Sequence, residues 1–240
     1  MDNIGKSERA TQNRIVKLFS EQLGYGYLGN LEDKSDNCHI ETQQLRQYLK
    51  DKYSPEQINE ALSALDKVAN NPQHDLKYNN QKVYALLRYG IDVKVAVSES
   101  TETVHLINWQ DAEANDFYIA EEVTIFGEKE KRPDIVLYVN GIAVGVLELK
   151  NSRKDLAEGI RQNITNQQSK FISDFFNTVQ FVFAGNDSQG LRYGTVGTPE
   201  KFFLSWKEDE QEDSSYKLDK YLLKMCNKQR LIELMYDFVL

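Results

Sequence analysis

The sequence is poor in cysteine, histidine and proline, and it has no long apolar run. Its two cysteines, Cys38 and Cys226, lie far apart and make no disulfide framework, which fits a reducing, cytoplasmic compartment. The three histidines, His39, His74 and His105, show no ligand spacing with one another or with cysteine, which argues against zinc. No apolar stretch approaches the ~20 residues of a membrane span. The first residues, Met1 to Glu8, contain no apolar core of a signal peptide. No Gly-x-x-x-x-Gly-Lys-Ser/Thr string occurs, so this chain alone has no phosphate-binding loop with which to hydrolyse ATP. Internal repeats are absent. An excess of positive charge is also missing: the formal net charge is −8, which argues against a general nucleic-acid binder.

What is present is ordinary in bulk and uneven in detail. The 240 residues suffice for one large domain or two small ones, and 40% hydrophobic with 28% charged residues suits a packed core. Much of the acidity sits in one run, Glu208-Asp209-Glu210-Gln211-Glu212-Asp213. Elsewhere Lys129, Lys131, Arg132, Lys150, Arg153, Lys154 and Arg161 cluster in sequence. A polyanion would therefore be met locally and with modest affinity.

The densest signal is Arg132 to Asn151. Two apolar runs, Ile135 to Val139 and Ile142 to Leu149, flank Asn140-Gly141, a strong hairpin turn. Both alternation sets are apolar, so both faces should be buried, as in a central strand pair. Charge appears at one end only: Asp134 opens the first strand, and Glu148 and Lys150, two residues apart on one face, close the second. Such a group is either a charged strand end with a surface salt bridge or a hydrolytic site. In the second reading the carboxylates suit Mg²⁺, which acidifies water and neutralises phosphate charge, while Lys150 positions the water or stabilises the transition state.

Register sets a condition. A two-residue turn pairs Val139 with Ile142 and puts Asp134 opposite Leu147, on the face away from Glu148. One metal site then requires a three-residue turn, a bulge, or a break where Pro133 removes a ladder donor. Because the Asn-Gly signal is strong, the sequence predicts a bulge or break close to Asp134, with the two carboxylates within roughly 6 Å, near enough for one Mg²⁺ to bridge.

Pro133-Asp134 followed by Glu148-Leu149-Lys150 resembles the PD-(D/E)xK nuclease signature. The longer string Arg-Pro-Asp-Ile-Val-Leu-Tyr-Val-Asn-Gly-Ile, ending in Leu-Glu-Leu-Lys-Asn, resembles the N-terminal domain of the restriction subunit of type I restriction–modification enzymes, from about Glu8 to about Lys207. The resemblance implies an α/β (α+β) fold of restriction-endonuclease type, a mixed central sheet flanked by helices. It implies Mg²⁺-dependent hydrolysis of double-stranded DNA leaving a 5′-phosphate and a 3′-hydroxyl. Asp134, Glu148 and the Leu149 carbonyl would hold the metal, and Lys150 would assist the water. Implied partners are modification and specificity subunits and a translocase motor in the full-length chain. ATP and S-adenosylmethionine would bind only in the complete assembly, not to this chain. Alternatives are a non-catalytic docking module that uses the C-terminal helices and a repair nuclease of the same fold.

The remaining elements follow from periodicity. Residues 8–23 read as a helix with Ile15, Phe19 and Leu23 inward. Glu8 shares that face, as a first-turn acid favoured by the helix dipole or as a further carboxylate near the metal. Residues 30–90 read as a helical insertion: helices at 42–50, from Ser54-Pro55-Glu56-Gln57, a capping box, and at 76–88. Strands are predicted at 91–97, 104–109, 116–126, 179–184 and 191–196, giving a catalytic core over 91–196 within an endonuclease domain of 1–207. A helix over roughly 153–170 carries Leu156, Ile160 and Ile164 inward, with Gln162 and Asn166 on the opposite side. Many restriction subunits carry Gln-x-x-x-Tyr here; Gln162 stands in place and Asn166 replaces the tyrosine, so the pair is either that motif or a solvated polar face. Arg153, Lys154 and Arg161 are candidate DNA contacts. Residues 208–215 read as an acidic linker, and 216–240 as helices leading to a motor.

Overall fold

The computed structural model describes residues 8–94, 100–206 and 216–237. A seven-stranded mixed sheet forms the centre. It contains β1 (Gly26–Asn30), β4 (Phe117–Glu121), β5 (Ile135–Val139), β6 (Ile142–Leu149), β7 (Phe181–Asn186), β8 (Gly190–Gly194) and β9 (Leu204–Ser205), in the spatial order β1-β4-β5-β6-β7-β8-β9. β1 runs parallel to β4, and β6 to β7; every other pairing is antiparallel. β2 (Ile91–Val93) and β3 (Glu102–Val104) form a separate ribbon.

Helices cover both faces. Ile15 and Phe19 of the first helix, Leu45 of α2 (Thr42–Leu49), Leu65 of α3 (Pro55–Ala69) and Val83 and Leu87 of α4 (Leu76–Tyr89) pack on one face, against Leu137, Val139 and Leu147. Leu218 and Leu222 of α6 (Lys217–Met225) and Leu231 of α7 (Lys228–Asp237) join that cluster, so the C-terminal helices lie on the sheet core. On the other face, Leu156, Ile160, Phe175 and Phe176 meet Val136, Tyr138, Val146 and Val182. Every residue of β5 and β6 is buried, as their two-sided apolar pattern predicts.

The turn between β5 and β6 takes two residues, with Asn140 at φ 53° and Gly141 at φ 85°, the left-handed pair of a type I′ hairpin. A side chain at Gly141 would stand 2.6 Å from the Glu41 carbonyl oxygen, because the start of α2 sits on the turn. Asn140 anchors the other side, donating through its amide to the Leu106 carbonyl at 2.8 Å.

Several predicted elements differ in extent. The first helix is α-helical over α1 (Glu8–Lys17) and widens to a π-helix over Leu18–Gln22. The capping box of Ser54 and Gln57 is formed. Of the strand expected at 104–109 only Val104, the last residue of β3, is strand, and residues 95–97 of the one expected at 91–97 lie outside the described residues. The strand expected at 116–126 stops at Glu121, because Glu122 turns to φ 52°. The helix expected over 153–170 is shorter, α5 (Ala157–Asn166). The acidic run at 208–215 and the end of the chain at 238–240 also fall outside the described residues. No helix among the described residues is long and apolar enough to cross a membrane.

Candidate active site at the end of the β5–β6 hairpin

The register problem is solved by a bulge. Val139 pairs with Ile142 and Tyr138 with Ala143, but Leu137 pairs with Gly145, so Val144 is the extra residue. From there Val136 faces Val146 and Ile135 faces Leu147; the next step puts Asp134 opposite Glu148. The bulge lies near the turn and not near Asp134, where the sequence reading put it. Val144 contributes to the same apolar cluster as Ile142, and Gly145 packs within van der Waals reach of Leu137 and Phe183. At the bulge the Val144 carbonyl accepts from the Gln180 N–H at 2.9 Å, and the Ala143 N–H donates to the His39 carbonyl at 2.9 Å.

Asp134 and Glu148 meet on the α5 side of the sheet, close enough that the charge of each bears on the other. Asp134 accepts a 2.6 Å hydrogen bond from the Leu149 backbone N–H, across the strand pair. Glu148 is 0% exposed and accepts from the Asn166 side-chain amide at 3.1 Å through Oε1, while its Oε2 is buried with no donor. Burial pushes the Asp134 carboxyl up to about 6, against the opposing pull of the Leu149 N–H and the Lys150 ammonium. Glu148 is raised well above the usual carboxylate range, first by burial and then by the charge of Asp134. Two adjoining carboxylates, one buried and one partly so, favour holding a proton between them unless a cation replaces it.

Lys150 is not a surface residue: it is 6% exposed. Its Nζ donates to the Leu149 carbonyl at 2.7 Å and lies 3.3 Å from the Glu8 carboxylate on α1. Gly159 of α5 lets that helix come this close, since a side chain there would stand 3.4 Å from Cγ of Lys150 and 3.1 Å from Cβ of Ala184. The structure thus brings Asp134, Glu148, Leu149, Lys150 and Glu8 together. Among the described residues no group of three or more His, Cys, Asp or Glu forms a metal cage. Mg²⁺ needs fewer protein ligands than that: two carboxylates and a backbone carbonyl, with waters and phosphate oxygens completing its shell. The donorless Glu148 Oε2 fits such an ion.

Asn166 corrects the sequence reading. It faces the sheet, 1% exposed, and holds Glu148. Asn163, also buried, donates to the Phe183 carbonyl at 2.8 Å. Gly159, Asn163 and Asn166 follow helical spacing and form the stripe of α5 that lies closest to the strands, beside Leu156 and Ile160. Gln162 is half-buried, and no hydrogen bond between described residues joins it to Asp134, Glu148 or Lys150. Arg153 and Lys154 are exposed in the loop after Lys150, and Arg161 is exposed and paired with Glu200 at 2.9 Å.

Two further residues escaped the sequence reading. Gln12, one turn after Glu8 and 3% exposed, donates to Glu121 at 3.0 Å and to the Asp134 carbonyl at 3.3 Å, so it ties α1 to the strand end. A polar residue on an apolar helical stripe was its signal. Glu121 also accepts from Tyr27 at 2.8 Å and pairs with Arg9 at 3.3 Å. The basic cluster is partly neutralised, as Arg132 pairs with Glu122 at 2.8 Å and with Glu32.

Comparison with known proteins supplies context. The chain is 24% identical over 206 residues to the putative type I restriction enzyme MjaIXP endonuclease subunit of Methanocaldococcus jannaschii, covering 75% of this chain and 20% of that protein. It is 37% identical over 106 residues to the putative MjaVIIP endonuclease subunit of the same organism, covering 43% and 10%. It is 27% identical over 207 residues to the type I restriction enzyme HindI endonuclease subunit of Haemophilus influenzae, covering 82% and 19%. The chain thus spans about a fifth or less of the length of these relatives. A family profile described as type I restriction enzyme R protein N terminus matches residues 5–202, which takes in the whole hairpin and its carboxylates, and the chain belongs to that family.

Proposed function

We propose that this chain is a Mg²⁺-dependent endonuclease domain that hydrolyses phosphodiester bonds of double-stranded DNA, with Asp134, Glu148 and Lys150 as the catalytic group. The observation that carries the reading is the buried, donorless Oε2 of Glu148 beside Asp134, at the end of a hairpin whose bulge puts both carboxylates on one face. A structural ion pair would have satisfied that oxygen with a donor.

Asp134, Glu148 and the Leu149 carbonyl are the groups that would hold Mg²⁺, with Glu8 at the margin. The ion would lower the pKa of a bound water and neutralise charge on the phosphate. The protein's own groups do the rest. Leu149 N–H fixes the Asp134 carboxylate, and Asn166 fixes Glu148. Glu8 and the Leu149 carbonyl hold the Lys150 ammonium beside the carboxylates, where it orients the attacking water and stabilises developing negative charge. Arg153 and Lys154, exposed just after the site, would meet the DNA backbone.

In the full-length protein, a translocase motor in the same polypeptide and modification and specificity subunits would deliver the DNA. The test is cleavage by the complete enzyme carrying Glu148→Ala or Lys150→Ala. The variants are expected to fold and assemble while losing cleavage; wild-type cleavage by a folded Glu148→Ala enzyme would refute the assignment.

A further inference from the structure

A second concave site lies at the opposite end of the sheet. Asn140, in the turn, bonds Leu106 at 2.8 Å, and the next residues, Ile107 to Gln110, line a cavity of about 640 Å³. The turn is six residues from Asp134 along β5, so the cavity is roughly 20 Å from the carboxylates at ~3.3 Å per strand residue.

Its walls combine cations with aromatic rings. The cations are Lys52, after α2, and Arg88, in the last turn of α4; His105, at the start of the loop after β3, adds an imidazole, and Tyr48, Tyr53, Trp109 and Tyr236 supply ring faces. None of the described lining residues is acidic, in a chain of net charge −8. Asp116, whose charge bears on Lys52, stands outside the lining. Arg88 stacks its guanidinium over the Tyr236 ring and lies 6.0 Å from the Trp109 ring, and its Nη1 is buried with no hydrogen-bond partner. Lys52 Nζ stands 3.5 Å from the Tyr48 ring centre. The Trp109 indole is fixed by donation to the Leu87 carbonyl at 3.0 Å, and the Tyr53 hydroxyl accepts from the His105 backbone N–H at 3.0 Å. These rings are held as walls.

A buried guanidinium N–H without an acceptor asks for an anion. Fixed ring faces beside it accept a planar base without regard to sequence. A cavity of this size suits a small ligand. We infer that this pocket binds a nucleotide unit, its phosphate on Arg88, Lys52 and His105 and its base on the aromatic wall. The unit is either a free nucleotide or part of a single strand.

The purified chain, in EDTA to keep metal away from the carboxylates, is titrated with adenosine monophosphate, inorganic phosphate and a short oligothymidylate. Binding is followed by calorimetry and tryptophan fluorescence. The expected result is saturable binding of adenosine monophosphate with quenching that Trp109→Phe removes. Arg88→Gln and Lys52→Gln should each weaken it by about tenfold or more. If loss of stacking on Tyr236 unfolds Arg88→Gln, Lys52→Gln carries the comparison. Oligothymidylate binding tighter than the mononucleotide and steeply salt-dependent assigns the site to a strand; equal or weaker binding assigns it to a free nucleotide. Three results would overturn the inference. They are no saturable binding of either nucleotide probe, binding unchanged in both variants, or inorganic phosphate binding as tightly as adenosine monophosphate.

Discussion

Replacing Asp134 with asparagine is expected to stabilise the metal-free protein while removing its proposed metal ligand. Burial raises the Asp134 carboxyl from 3.8 to about 6. At ~1.4 kcal/mol per pKa unit, keeping it ionised costs the fold up to about 3 kcal/mol. The residue is only partly buried, and solvent screening reduces the figure to about 1–2 kcal/mol. The sign follows from proton linkage. Between pH 6 and 3.8 the folded state holds a proton that the unfolded state has lost, so this group adds stability as pH falls. Its cost is therefore complete above pH 6 and gone below about pH 4. Asparagine keeps an oxygen for the Leu149 N–H and adds an amide donor facing Glu148, whose Oε2 lacks one. Urea denaturation in EDTA should show Asp134→Asn more stable than wild type at pH 8, with the difference shrinking toward pH 4. Mg²⁺ should stabilise wild type and not the variant. A variant less stable than wild type at pH 8, or a difference independent of pH, would refute the reasoning.

Two other substitutions probe the scaffold. Gly141→Ala places a side chain at φ 85° and 2.6 Å from the Glu41 carbonyl; a loss of about 1–3 kcal/mol is expected, and an unchanged melting temperature would remove the turn from the account. Asn166→Ala strips the remaining donor from Glu148; cleavage by the complete enzyme and divalent-ion affinity should both fall by about tenfold or more, and unchanged values would show that Asn166 does not orient Glu148.

The hairpin and its acidic end were legible because they depend on local chemistry. Asn140-Gly141 names its own turn, and parity alone shows that an unbroken ladder would separate Asp134 from Glu148. The bulge position was not legible. Val144 and Gly145 sit in a uniformly apolar run, and what admits the extra residue is the packing of Gly145 against Leu137 and Phe183, a strand away. The inward side of Asn166 was not legible, because the apolar stripe of α5 marks only part of its packed face; a helix lying on a sheet near a buried charge also buries amides that serve it. The pairing of Arg132 with Glu32 and Glu122 joins distant parts of the sequence, so the basic cluster looked freer than it is. β2 and β3 have three residues each, too few for alternation to mark their ends.

The central claim is that Asp134 and Glu148 form a site for a divalent cation, and Mn²⁺ titration calorimetry on the purified chain tests it most directly. Binding should be weak without DNA, because phosphate oxygens are missing ligands. It should strengthen as pH rises through 6, as the Asp134 proton leaves. Asp134→Ala and Glu148→Ala should each abolish it. Mn²⁺ binding of unchanged affinity and stoichiometry in both variants would contradict the account.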